Sequence, residues 1–149
     1  MGINEIWTVA PEKNDFRYAG AITRPDLPGS ITQTLEDIVR VLVREIGLQG
    51  LCGMDVILDE NGQCHVLEIN PRPTATFELH QTEQSLCDAH ILACAGRLIP
   101  LPQHADVLRA HRVLYADGDC IMPAITWPDW ASDRPPPGRR IRVNDPVCM

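Results

Sequence analysis

Lysine is almost absent from this chain of 149 residues: of its 13 basic residues only Lys13 is a lysine, and the rest are arginines. Any chemistry that needs a lysine beside a phosphate must therefore draw it from elsewhere. Positive charge is scarce overall. A net charge of −7 and an isoelectric point near 5.1 would repel a phosphate backbone, so nucleic acid is not an expected partner. Long apolar runs are missing too, since polar residues interrupt every stretch before the roughly 18 residues that suggest a membrane span. The start, MGINEIWTVAPEKND, lacks the basic segment and apolar run of a secretory signal. The expected location is the cytoplasm, with no membrane partner. No Cys-x-x-Cys pair occurs among Cys52, Cys64, Cys87, Cys94, Cys120 and Cys148. That spacing argues against a zinc site, and the length argues against a disulfide-stapled secreted domain, which leaves reduced thiols.

What is present suits a soluble globular protein: 44% hydrophobic and 22% charged residues, with a mean hydropathy of −0.11. At 16.6 kDa the chain is long enough to bury a real core. Residues 1–29 carry two short apolar groups, Ile6–Val9 and Tyr18–Ile22, separated by Pro11, Asn14-Asp15 and Pro25-Asp26, which predicts two strands and a loop. From Ser30 the period changes. Ile31, Leu35, Ile38, Val39, Leu42, Val43 and Ile46 mark one face of an amphipathic helix, with Ser30 and Gln33 as a capping box and Gly47 as the stop. A second helix is expected at about 82–95, burying Leu86, Cys87, Ile91, Cys94 and Ala95 and ending at Gly96. Arg109–Ala116 reads as a strand. Past Pro100 the chain is rich in proline, and its tail is extended and turn-like, with Trp127 and Trp130 expected to pin it to the core.

The chemistry concentrates between the helices. Two β-rich runs, Leu51–Asp59 and Cys64–Asn70, flank Asn61-Gly62, the pair that accepts the positive φ of a type I′ hairpin turn. Counting outward, Glu60 pairs with Gln63, Asp59 with Cys64, Ile57 with Val66 and Asp55 with Glu68. Two carboxylates then stand opposite each other with β-carbons about 5 Å apart, which is unfavourable unless something neutralises them. Alternation places Glu68, Asn70 and Arg72 on that same face and His65, Leu67 and Ile69 on the other. Mg²⁺ takes hard oxygen ligands, commonly one or two carboxylates plus substrate phosphates, and an arginine fork fits a phosphate. A solvated acidic pair is the commoner meaning of such residues on a strand; the asparagine and arginine beside them favour a Mg-nucleotide site. His65, His80 and His90 lack a carboxylate partner at i, i+4 spacing and read as structural. Arg139, Arg140 and Arg142 form the only basic cluster and read as a solvated loop or a salt bridge to the acidic body, with a subunit contact as the alternative.

The stretch GMDVILDENGQCHVLEINPRPTATFEL, Gly53 to Leu79, resembles the C-terminal half of the ATP-grasp superfamily, which includes biotin carboxylase, carbamoyl phosphate synthetase and D-alanine:D-alanine ligase. Its signature is an acidic residue on the first strand and Glu-x-Asn-Pro-Arg on the second. The resemblance implies Asp55, Glu68 and Asn70 as ligands of Mg²⁺ or Mn²⁺, with Glu68 bridging metals. It also implies Glu68, Asn70 and Arg72 at the ATP phosphates, Arg72 as the catalytic cation, and Pro73–Thr76 beside the acceptor substrate. The segments FRYAGAITRPDLP, WPDWASDRPPPG and NDPVC look like a smaller branch tied to pterin-dependent one-carbon metabolism.

The fold implied is α+β: an ATP-grasp C-terminal subdomain over residues 1–99, with an antiparallel sheet and two main helices, and a small extended β-rich appendage over 100–149 packed on it. The activity implied is ATP-dependent ligation of a carboxylate to an amine or other nucleophile through an acyl-phosphate. Gly53 stands where some relatives carry an arginine on the same face. The lysine-bearing first half of the nucleotide clamp is not recognisable, so the expected partner is a missing N-terminal half or a second copy. The alternative is a non-catalytic remnant serving as an oligomerisation or regulatory module.

Overall fold

The structure, a computed structural model, describes residues 1–9, 16–24, 26–101 and 108–149. Lys13, Pro11, Asn14, Asp15 and Pro25 lie outside the described residues. Among the described residues the arrangement is α+β, with short antiparallel sheets and two α-helices. It divides into two compact units: Met1–Ile3 with Thr23–Leu108, and Asn4–Ile22 with Arg109–Met149. Among the described residues no helix is long and apolar enough to cross a membrane.

The first unit carries helix α1 (Gly29–Ile46), a hairpin and helix α2 (Leu86–Cys94). The expected capping box does not form. Pro28 occupies the N-cap, and its carbonyl accepts from Ile31 and Thr32 at 2.9 and 3.1 Å. Proline's fixed φ is compatible with a helix entrance, so Gly29 already lies in the first turn and Ser30 inside it. Gly47 does stop the helix, at φ 73°, with its N–H on the Val43 carbonyl at 2.9 Å. Leu35 is buried and Ile31, Ile38, Val39 and Leu42 are half-buried, but Val43 and Ile46 at the end of the stripe are exposed.

Helix α2 begins later than its period suggested. The Gln81 amide nitrogen donates to the carbonyls of Thr82 and Gln84 at 3.0 and 2.9 Å, which holds 81–84 as a loop. Ser85 then caps the helix by accepting from the Asp88 N–H at 3.2 Å. The buried face also differs: Leu86 and Ala89 point inward, whereas Cys87, Cys94, Ala95 and Ile91 are exposed, Ile91 at 63%. Apolar residues surround most of this helix, so spacing alone could not choose the face. His90 decides it: the Leu51 N–H donates to its Nδ1 at 2.9 Å, turning the face that holds Leu86 and Ala89 inward. All six cysteines are free thiols.

In the second unit β1 (Asn4–Val9) and β2 (Arg17–Thr23) make a three-stranded sheet with a short strand from the far end of the chain, Ala110–Arg112, in the order first, second, distant. Ala21 faces His111 in that ladder. The Tyr115 hydroxyl donates to the Tyr18 carbonyl at 2.5 Å, the Tyr18 hydroxyl bonds the His111 ring, and the Arg17 guanidinium lies 4.9 Å over the Tyr115 ring. Further along, Leu114–Tyr115 pairs with Pro146–Cys148 and Cys120–Ile121 with Arg140–Ile141. Met122, Ala131, Pro135, Ile141 and Cys148 are buried in this tail. Trp130, expected to be an anchor, is 72% exposed. Trp127 is half-buried. Polar bonds add to the buried apolar residues in holding the tail, such as Asp119 Oδ1 accepting from the Val143 N–H at 2.8 Å and Arg134 Nε donating to the Ala131 carbonyl at 2.7 Å.

Candidate metal and phosphate site

The hairpin pairs β3 (Gly53–Leu58) with β4 (Cys64–Asn70). Its turn is not the two-residue type expected. The ladder ends at Leu58 opposite Cys64, and a longer loop follows in which the Asp59 N–H donates to the Gln63 carbonyl and the Gly62 N–H to the Asp59 carbonyl, both at 3.0 Å. Gly62 sits at φ 78°, as the last residue of a three-residue loop requires. The Asp59 carboxylate selects this geometry, since its Oδ1 accepts from the N–H groups of Asn61 and Gln63 at 2.9 Å each.

This loop shifts the inner half of the ladder by one residue. Ile57 faces His65 and Val56 faces Val66, in place of the Ile57–Val66 and Asp59–Cys64 pairs expected. A bulge between Asp55 and Val56 then leaves Leu67 without a partner across the ladder and restores the outer half. Asp55 therefore stands opposite Glu68, as the sequence predicted, and Gly53 opposite Asn70. His65 shares a face with Ile57 and hence with Asp55, which corrects its expected place on the opposite face. Its Nε2 reaches Asp59 Oδ2 at 3.2 Å.

Asp59 is held below the ordinary carboxylate range first by the Gln63 N–H, then by the His65 ring, with the Asn61 N–H adding to both. Because the folded value is depressed, the stabilisation is complete above the unfolded value near 4 and is lost as pH falls through the folded value. Comparing unfolding midpoints of wild type and Asp59→Ala across pH 7 to 2.5 should show a constant gap at neutral pH that closes below about pH 4. A gap independent of pH would refute this role.

The ladder thus brings Asp55 and Glu68 together on one rung, with Asn70 two residues along the same strand and face. Arg72 lies beyond the end of β4. A tight turn, with the Arg72 N–H on the Asn70 carbonyl at 2.8 Å, sets its position, not the strand alternation expected. Its Nη1 rests on the Pro73 carbonyl at 3.2 Å, and the side chain is exposed with no ion pair among the described residues. A guanidinium so held is available to an anion.

The donor set fits Mg²⁺ or Mn²⁺: two carboxylates and a carboxamide oxygen, all hard, on the rigid end of a ladder. Among the described residues no group of three His, Cys, Asp or Glu side chains suited to a metal occurs. A shallow concavity bordered by Asp37, Arg40, Val41, Val43 and Arg44 lies along α1 and includes none of these ligands. Arg139, Arg140 and Arg142 make no ion pair among the described residues, so the basic cluster is solvated.

Two contributions were not foreseen, the turn bonds of Asp59 and the packing of Thr74 on Gly53. Asp59 organises the turn, and its signal was present as an aspartate two residues before Asn-Gly. Thr74 folds back over Gly53, which no local pattern announces. Sequence comparison meets this geometry: a family model described as an ATP-grasp domain matches residues 1–76, half of the chain, and includes β3, β4 and the loop that carries Arg72. No curated protein matches the sequence.

Proposed function

The chain belongs to the ATP-grasp family, and from that we propose that it is the metal- and ATP-phosphate-binding half of an ATP-dependent carboxylate ligase. The observation that carries this reading is the Asp55–Glu68 rung, restored by the bulge at Leu67 and placed beside Asn70 and the Arg72 turn. Asp55, Glu68 and Asn70 would hold Mg²⁺ or Mn²⁺, and the metal would screen phosphate charge and align the γ-phosphoryl group for in-line transfer to a carboxylate. Arg72 is the residue placed to take the charge of the transferred phosphoryl group or the resulting acyl-phosphate, which an amine or similar nucleophile then opens.

The lysine-poor composition supports a second component that completes the clamp, whether a separate N-terminal half or another copy. Exposure of Ile57, Leu58, Val66 and Leu67 on the hairpin supports the same reading, since a two-stranded sheet with apolar residues on both faces is normally covered. We assign the C-terminal-half character to Gly53–Leu79. The FRYAGAITRPDLP and NDPVC segments support the one-carbon branch. The test is thermal unfolding with and without MgATP. At about 100 times the dissociation constant, bound ligand stabilises by about 2.7 kcal/mol, a rise of roughly 5–10 °C for a chain of this size. Asp55→Asn should lose the rise. No rise at millimolar MgATP overturns nucleotide binding by this chain; a rise that survives Asp55→Asn overturns the metal assignment.

A further inference from the structure

Gly53 opens strand β3 and has no positive φ; what it lacks is room. A β-carbon built there would lie 2.2 Å from Thr74 Cγ2, well inside van der Waals contact. The neighbour cannot easily yield. Threonine is stiff at χ1, and Thr74 Oγ1 is held 3.2 Å from Thr76 Oγ1, so turning the methyl away would break that bond. The Thr74 carbonyl is also engaged, accepting from the Phe77 N–H at 3.1 Å.

Gly53 is the ladder partner of Asn70. The loop between Asn70 and Thr74 contains only Pro71, Arg72 and Pro73. It leaves β4 through the Asn70–Arg72 turn and returns to the same rung through the Thr74 methyl, and each proline fixes its own φ on the way. Both ends of the Arg72 loop are thereby fastened to one rung of β3–β4. We propose that Gly53 and Thr74 form an interlock that positions Arg72 and Asn70 over the metal-binding face, with Thr74 a positioning residue and Gly53 the space it needs. This rests on the proposed metal and phosphate site. It also explains why an arginine cannot stand at position 53 here: the threonine methyl occupies the place of its side chain.

The missing β-carbon and the threonine methyl compete for one space, so the methyl can be moved. Gly53→Ala with Thr74→Ser transfers it from the loop to the strand and keeps Oγ1. The experiment measures Mn²⁺ binding by electron paramagnetic resonance in the presence of ATP, together with the metal-free unfolding midpoint. Gly53→Ala alone should weaken Mn²⁺ binding about tenfold, the scale of losing a residue that orients a ligand. It should also lower the midpoint by roughly 2–10 °C, as overpacking does. The double variant should recover both.

Unchanged Mn²⁺ affinity in Gly53→Ala, or a double variant no better than Gly53→Ala, overturns the interlock. Should Gly53→Ala fail to fold, Thr74→Ser is compared with the double variant, and the methyl returned at position 53 should restore the binding that Thr74→Ser loses. Wild type that binds no Mn²⁺ overturns the metal reading and with it the positioning of a metal face; recovery of the midpoint then decides whether Gly53 and Thr74 still lock the loop.

Discussion

Gly20→Ala is expected to cost the unit that contains it about 3 kcal/mol or more, because the new methyl has nowhere to go. The added β-carbon would stand 2.4 Å from the His111 carbonyl oxygen and 2.6 Å from the Trp7 ring. The first of these is backbone, part of the neighbouring strand, and cannot rotate aside. Gly20 lies between Ala19 and Ala21 on the central strand of a three-stranded sheet, and all three are buried. The two clashes fall on the two flanking strands, one on each side, so the damage spreads to both pairings. All three tryptophans, Trp7, Trp127 and Trp130, belong to this unit. Tryptophan fluorescence therefore reports its unfolding, and the midpoint should fall by several degrees or the transition vanish. Gly118→Ala is the control, since an added methyl there meets nothing within 4 Å. Equal midpoints for the two variants would refute the steric argument.

The parts of the structure that were legible in the sequence are those built by local rules. The apolar stripe from Ile31 to Leu42 and the stop at Gly47 needed only a period of 3.6 and a residue tolerant of φ 73°. The hairpin was visible because two β-rich runs flank Asn61-Gly62. Its register was harder. Counting from a two-residue turn placed Asp55 opposite Glu68 correctly, but by a route the chain does not take. The Asp59 carboxylate lengthens the loop by capturing two N–H groups, which displaces every inner pair by one, and the bulge at Leu67 cancels the displacement before Asp55 is reached. Two features invisible to alternation offset each other, and His65 shows the residual error by changing faces.

What could not be read were contacts between segments remote in the chain. The buried face of α2 depends on the bond from the Leu51 N–H to His90. The fold-back of Thr74 depends on an empty space at Gly53. The pairing of β2 with Ala110–Arg112 joins residues about ninety positions apart, and neither segment carries a mark of the other. The Asp55–Glu68 rung itself was legible because a carboxylate on each run of a recognisable hairpin can be counted into register. The residues packed around it, such as Thr74 against Gly53, were not, because packing restricts only volume.

Glu68→Gln should change stability in opposite directions with and without ligand, and the reversal separates a binding rung from a decorative one. In the absence of metal, Asp55 and Glu68 place two acidic groups directly opposite each other. Such a pair costs about 0.2–1 kcal/mol relative to a neutral one, and glutamine removes the repulsion at nearly constant volume. The variant should therefore melt slightly above wild type in EDTA. Raising the salt to about 1 M shortens the screening length to about 3 Å and should shrink that advantage, since both residues have access to solvent. With saturating MgATP the order should invert, because the wild type gains the ligand's contribution, near 2.7 kcal/mol at about 100 times the dissociation constant. The variant forfeits most of it. A rung that merely faces water would give the first effect without the second: glutamine would be the more stable side chain under every condition. A rung that binds metal must keep a local repulsion in the free protein, since the charge that attracts the cation is the charge that repels its neighbour.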